Sequence, residues 1–533
     1  MTPPASSFSP QISQLAERPS GAGKWLVAIS VIFGTFLSVM DATVVNVAMP
    51  HMMGSFGEDL LTITWVSTAY SIAEIIMITM TAWWAAVLGR KRLFVGSMIL
   101  FTIGSVLAGT SQSFKQMLFY RVLQGIGGGS LIPSSQAIMR ETFPPSEQGM
   151  AMAVYGMGVV LAPAIGPVLG GWLIDRFGWR WVFYINVPFS IVGLLMVAAF
   201  VTDPPYLKRG VQRVDWTGIT FLTVGLSAMQ IVLERGQEVD WFASHWIFAG
   251  TVIAIVALIA LVVWELYGAE EPVIDFRLFG NTALSVGSGI GMVIGFALFG
   301  STFLLPQFTQ DLLGYPALQA GIVLLPRAVA LLIVMPIIGR LYNYVSPRLL
   351  ILLGLVALMY GEWRLAHLSL SISIWTFFWP LVTLGIGMAC SIVVLSTVSL
   401  STMPRQQMTG ASSLYTVTRR VSGNVAYALL ATLLARRTQF HRAALADDIT
   451  RLNPSYSQAT AGFAHRLTSF GVAQPAVQMH AVAMLNDALN RQASVMAYND
   501  AYWLMAIMFI LSLPLVLLLP RRRSGAPAEG PTH

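Results

Sequence analysis

Three ionisable residues stand where an apolar sequence should not hold them. Asp41 interrupts FLSVMDATVVNVAMP, Glu74 interrupts STAYSIAEIIMITM, and Arg121 sits in LFYRVLQGIGGG. A charge inside a bilayer is costly, and residues kept there usually carry function. A carboxyl group in an apolar cavity holds its proton more tightly than in water, which suits reversible exchange near neutral pH. Arg cannot give up its proton, so Arg121 is expected to modulate a nearby carboxylate or to anchor the fold. Proton coupling is the chemistry expected of Asp41, Glu74 and Arg121. The same residues also fit a static network that only fixes helix packing.

A second pattern lies further along the chain. Gly158, Ala162, Gly166 and Gly170 recur every four residues, so on a helix they line one face. Such a face lets another helix approach closely. Pro163 and Pro167 interrupt backbone hydrogen bonds and are expected to bend that helix. Gly125 and Gly129 share a face with Arg121 at the same spacing. Together these residues predict a tight contact that moves, against the alternative of ordinary small-residue packing. Aromatic runs such as Trp375 to Pro380 point to no particular ligand.

Other chemistry is missing. No G-x-x-x-x-G-K-[ST] loop is present, which argues against ATP hydrolysis. No Cys/His cluster suggests a metal or haem, and no nucleophile–base constellation suggests an enzyme. The single cysteine, Cys390, lies in an apolar run and reads as a small core residue. No cofactor is expected; uphill transport would draw on an ion gradient.

The elements that position these residues follow from composition. Of 533 residues, 56% are hydrophobic and 10% charged, with a mean hydropathy of +0.69. Soluble domains carry about 25% charged residues, so this chain could not cover a soluble surface. Runs of about 20 apolar residues cross a bilayer as helices. Fourteen such runs are expected, at 25–48, 63–87, 93–111, 117–138, 149–173, 181–201, 215–233, 246–267, 281–305, 318–339, 348–366, 373–399, 410–434 and 498–520.

Sixteen Lys and Arg residues, including the clusters at 90–92 and 521–523, fall on one set of short segments. Five (Lys115, Arg176, Arg180, Arg235 and Arg364) fall on the other. The positive-inside rule then puts both termini in the cytoplasm. It also accounts for the net charge of +7 without nucleic acid. Residues 1–24 read as a cytoplasmic tail without a cleavable signal peptide, and 521–533 as a second tail. The loop 435–497, polar with helical stretches, is too long for a simple connector. It is expected outside, either as a variable surface loop or as a docking surface for a periplasmic partner.

The turns AWWAAVLGRKR (82–92) and GRLYNYVSPR (339–348) are both basic and both follow the second span of a possible six-span unit. This predicts two related bundles, 25–203 and 281–520, with two inserted spans in 204–280. Parallel repeats of this kind form a cavity where the halves meet.

These motifs resemble the fourteen-span drug:proton antiporters of the major facilitator superfamily, EmrB/QacA type, over roughly residues 25–520. The first-span pattern is Asp41-Ala42-Thr43-Val44-Val45-Asn46-Val47-Ala48-Met49-Pro50. The fourth-span pattern is Arg121-x-x-Gln124-Gly125 followed by Gly127 to Gly129. The antiporter pattern G-x-x-x-G-P-x-x-G-G appears with Ala162 at its first glycine, then Gly166, Pro167, Gly170 and Gly171. WRWVFYINVP (179–188) and LERGQEVDW (233–241) also match. The resemblance implies an all-α, polytopic major facilitator fold in the bacterial inner membrane. It implies that Asp41 and Arg121 couple protons and that the fifth span controls exchange. It further implies export of hydrophobic or amphipathic compounds, with a periplasmic membrane-fusion adaptor of EmrA type and an outer-membrane channel of TolC type. In the loop between spans 2 and 3, Gly89, Arg90 and Lys91 remain. Ala82 and Ala86 replace the family's Gly and Asp, which removes the usual gating carboxylate. Export of one physiological solute, such as a fatty acid, and a membrane sensor that transports nothing are the alternatives.

Overall fold

A computed structural model describes residues 21–202, 214–448, 454–469 and 476–520. The expected tails lie outside the described residues, apart from 21–24. So do parts of the expected insert and of the loop 435–497. The longer helices run α1 Ala22–Phe56, α2 Trp65–Leu88, α3 Arg90–Thr110, α4 Phe114–Gly129, α5 Leu131–Thr142, α6 Gln148–Phe177 and α7 Asn186–Phe200. They continue with α8 Trp216–Arg235, α9 His245–Val263, α10 Thr282–Gln307, α11 Ala317–Leu341, α12 Pro347–Leu365, α13 Ile374–Ser399, α14 Met408–Asp448, α15 Pro454–Ser469 and α16 Ala476–Ser512. No strand occurs among the described residues.

Ten described helices are long and apolar enough to cross a membrane, and an eleventh counts if bent α6 is one span. Three expected spans fall outside that set for visible reasons. The fourth breaks at Ser130 into α4 and α5. α12 carries Arg348, Glu362 and Arg364, and α14 carries Arg419 and Arg420 within its expected span. Within the loop 435–497, whose sequence reads as helical in stretches, α14 and α16 extend well past the expected spans. No Gly or Pro stops the chain between Met408 and Asp448 apart from Gly410 and Gly423 near the start and middle, so polarity changes there without ending the helix. Pro454 instead stands at the first position of α15.

Apolar side chains gather into one core among α1–α7 and another among α10–α16. A third cluster joins α2, α5, α8, α9, α10 and α14 at the seam between them. The expected repeat is visible in how glycines pack. Gly125 on α4 lies against the Tyr70 carbonyl, Ala73 and the Glu74 amide of α2. Gly385 on α13 lies against the Arg327 carbonyl, Ala330 and the Leu331 amide of α11. Gly127 meets Phe101 and Ser97 of α3, while Gly387 meets Leu358 and Gly354 of α12. Gly104 of α3 abuts Gln124, and Gly361 of α12 abuts Leu384. The three-helix units α2–α3–α4 and α11–α12–α13 therefore pack in the same register.

The halves are pinned at one end, where α1 begins. Asn343 donates to the Ser146 carbonyl at 2.5 Å. Ser412 donates to the Pro133 carbonyl at 3.1 Å and to Gln136 at 2.9 Å, and Ser413 donates to the Ile78 carbonyl. Gly149 and Gly339 let α6 and α11 touch backbone to backbone. Among the described residues, no hydrogen bond or ion pair joins α1 or α6 to α10 or α11 at the opposite end.

Candidate functional site

Asp41 sits midway along α1 and is 1% exposed. Arg121, at the same exposure, donates from Nη1 to Asp41 Oδ2 at 2.6 Å. That nitrogen also reaches Gln124 Oε1 at 2.6 Å, and Arg121 Nε donates to the Val66 carbonyl at 3.1 Å. Gln124 Nε2 and Asn186 Nδ2 each donate to Asp41 Oδ1 at 2.9 Å. Asn186 also donates to Ser105 Oγ at 2.9 Å, and the Tyr70 ring lies 4.3 Å from the Arg121 guanidinium carbon. Asp41 thus ties α1, α4 and α7 together through groups that complement a carboxylate anion. Protonating it would weaken the bonds from Arg121, Gln124 and Asn186 together, and breaking a buried ion pair costs about 3–5 kcal/mol.

α4 reaches this site because Gly125 and Gly129 let it lie directly on α2. The ladder on α6 faces α1. Gly158 meets Ile32, Gly166 meets Thr43 and Val44, Gly170 meets Val44, and Ala162 is fully buried. The contact brackets Asp41 along its helix. α6 turns by 42° between Gln148–Pro163 and Val168–Phe177. Gly171 faces open space, outside the ladder. The side chain of Pro167 lies outside the described residues.

Glu74 belongs to a different cluster. It pairs with Arg420 of α14 at 2.5 Å, an ion pair across the two halves. Arg420 also lies 5.7 Å from the Phe299 ring and within electrostatic reach of Glu234 on α8. Glu234 accepts from Thr68 of α2 and from Gln230 at 2.5 Å, and Asn424 donates to Gln230 at 2.5 Å. The inserted helix α8 therefore adds a carboxylate where the two halves meet.

At the pinned end, Gly89 adopts φ +87°, a left-handed value that favours glycine, and lets α3 start immediately after α2. Arg90 pairs with Glu141 at the end of α5 and donates to the Arg405 carbonyl of the other half at 3.1 Å. Lys91 donates to the Ala198 carbonyl at 2.7 Å. Although Ala86 leaves no acid in the turn itself, Glu141 provides Arg90 with a carboxylate.

The structure thus gathers Asp41, Arg121 and Gln124, and places Glu74 apart from them. Sequence reasoning passed over Asn186, Glu234, Arg420, the half-buried Arg327 and the buried Glu362. Asn186 lies in WRWVFYINVP and Glu234 in LERGQEVDW, both noted only as motifs. Arg327, Glu362 and Arg420 lie inside expected spans, so the rule that singled out Asp41 would have found them.

A family model described as Major Facilitator Superfamily matches residues 31–427. The chain belongs to the Major Facilitator Superfamily. It is a multi-pass membrane protein and a secondary transporter rather than an enzyme. Among relatives in the superfamily, the multidrug export protein EmrB of Escherichia coli K12 is 33% identical over 503 residues, covering 93% of this chain and 95% of that one. The fatty acid resistance protein FarB of Neisseria gonorrhoeae is 32% identical over 507 residues, covering 93% and 96%. Solved superfamily structures share the fold. The human organic anion transporter MFSD10 matches with a TM-score of 0.55 at 14% identity over 91% of this chain and 99% of that one. The proton:xylose symporter XylE matches with a TM-score of 0.57 at 12% identity over 94% and 96%.

Proposed function

We propose that this chain is a proton-driven efflux antiporter that exports hydrophobic or amphipathic compounds across the bacterial inner membrane, with both termini in the cytoplasm. The observation that carries the reading is the Glu74–Arg420 pair across the halves. Rocking one half against the other must strain or break it, and a proton on Glu74 removes the charge that holds it. The Asp41–Arg121 cluster supplies a second proton-sensitive joint inside the N-terminal half, on the helix that α6 contacts. With the basic end cytoplasmic, the pinned arrangement is an outward-facing state, ready to take up protons and release cargo. The similarity to EmrB supports a broad range of compounds, and the similarity to FarB supports a fatty acid as the narrower alternative. In this reading the chain needs no cofactor besides the proton gradient.

The test uses purified chain in liposomes under a proton gradient, with lipophilic cations and long-chain fatty acids offered in turn. Cargo should drive proton movement that a pH dye inside the vesicles reports. Glu74→Gln, which cannot form the ion pair, should flatten the pH dependence of exchange. A wild-type pH profile in that mutant would remove Glu74 from the coupling.

The helices that extend into the loop 435–497 support docking of an adaptor. α14 and α16 are braced by Asp500, which binds Arg437 at 2.5 Å and His441 at 2.7 Å. α15 packs on α16. In this reading they meet a periplasmic membrane-fusion adaptor of EmrA type, which leads to a TolC-like channel. Deleting 454–469 should abolish co-purification with the adaptor while membrane insertion stays normal. Undiminished co-purification rules the docking surface out.

A further inference from the structure

Two acids among the described residues, Glu265 and Glu362, have both carboxyl oxygens buried without a hydrogen-bond partner, and Glu362 is the one inside the C-terminal bundle. It lies on α12 with 0% exposure, and both its carboxyl oxygens are buried without a hydrogen-bond partner. The hydroxyl of Tyr502 on α16 is buried and unbonded as well, within electrostatic reach of Glu362. Arg327 on α11 is also within that reach, but it directs its donors elsewhere. Nη1 bonds Ser301 Oγ and Nη2 bonds Thr302 Oγ1, each at 3.1 Å. The other titratable groups nearby are Tyr498 of α16 and Tyr427 of α14. α13 contributes only Leu384 and Pro380 beside Gly361, and the turn Leu513–Leu518 has no titratable residue.

The repeat gives this position a meaning. The matching glycine contacts put Glu362 where α3 has Ser105, and Arg327 where α2 has Tyr70. Ser105 and Tyr70 are the neighbours of Asn186 and Arg121 around Asp41. The position matching Arg121 is Leu381, fully buried. The C-terminal half therefore keeps ionisable groups around its counterpart of the Asp41 site, but in the shell rather than at the centre.

An anion with no donor on either oxygen is unfavourable in a dry interior, whereas the neutral acid avoids that penalty. Glu362 also lies one turn from the end of α12 opposite the pinned end, a short path to the outer side. We propose that Glu362 is a further proton carrier, loaded in the conformation described here and emptied when the C-terminal half rearranges. Loading forms one O–H bond with a proton from water on the outer side. Emptying breaks it and returns the proton to water on the inner side, with Arg327 favouring the anion once water enters. The proposal rests on the antiporter reading and adds a proton to each cycle beyond those handled by Asp41 and Glu74.

Two measurements test it. Infrared spectra of the purified full chain, labelled with carbon-13 glutamate, should show a protonated carboxylic acid band that Glu362→Gln removes and Glu362→Asp takes out of the labelled set. Identical labelled spectra for wild type and Glu362→Gln overturn the proposal, and this measurement needs no cargo. In liposomes, with tetraphenylphosphonium as probe cargo, the potential that stops net flux at a fixed pH gradient gives the proton-to-cargo ratio. Glu362→Gln should lower that ratio by one proton, and Glu362→Asp should keep it. An unchanged ratio in Glu362→Gln overturns the proposal. A wild type that couples no protons sinks the antiporter reading instead, and the infrared result then decides whether Glu362 holds a proton. Should Glu362→Gln fail to fold, the labelled-band loss in Glu362→Asp carries the test.

Discussion

At the scale of residues, the chain spends its few buried charges in separate groups with different partners. Asp41 is saturated, taking bonds from Arg121, Gln124 and Asn186, whereas Glu74 holds one arginine from the other half. Asp41→Asn keeps the shape of the side chain but replaces one acceptor oxygen by a donor facing other donors. The mutant should still reach the membrane yet lose at least tenfold in cargo-driven proton flux, since 1.4 kcal/mol corresponds to about a factor of ten. Dye-reported flux in vesicles checks this, and wild-type coupling would remove Asp41 from the mechanism. Asp41 and Arg121 were legible in the sequence because each interrupts an apolar run. Asn186 was not, because a neutral amide in a span raises no alarm, and its role exists only once α7 stands beside α1. Glu234 escaped because it falls just beyond the apolar run, at a depth that only packing reveals.

At the scale of helices, glycine sets the distances. A Cβ at Gly125 would meet the Tyr70 carbonyl at 2.5 Å and the Ala73 side chain at 2.8 Å. Both belong to a helix that cannot yield without moving its neighbours. Gly125→Ala should therefore destabilise the N-terminal bundle by about 1–3 kcal/mol. Gly171→Ala, placed in open space, should change stability little. Thermal unfolding in detergent compares the two, and equal losses would contradict the packing described. The four-residue spacing made the α6 ladder readable from the sequence, but its partner was not, since any helix could have filled it. Helix ends were the least legible feature. Apolar length locates where a chain enters lipid, whereas α14 and α16 continue as helices well past that point.

At the scale of the whole molecule, the two halves touch at one end through backbone carbonyls, short polar side chains and Arg90. Such contacts make and break readily, which suits a joint that must open. Cysteines at positions 146 and 343, bridged by a short bifunctional reagent, should stop transport, and cleaving the bridge should restore it. The native Cys390 is buried, so labelling there should not interfere. Full activity in the bridged protein would show that this end does not need to open. The twofold plan was legible from the two basic turns, but its register emerged only from matched glycine contacts spread over six helices.

One element spans these scales. α14 is 41 residues long, or about 60 Å as a straight helix, twice the thickness of the bilayer's hydrocarbon. It carries Ser412 at the pinned seam, Arg420 opposite Glu74, and His441 against Asp500 near its far end. A stiff rod held at one extremity magnifies angle into distance: ten degrees of tilt would sweep the other extremity through about 10 Å. A partner resting on that tip would be moved mechanically by such a tilt, with no separate messenger required.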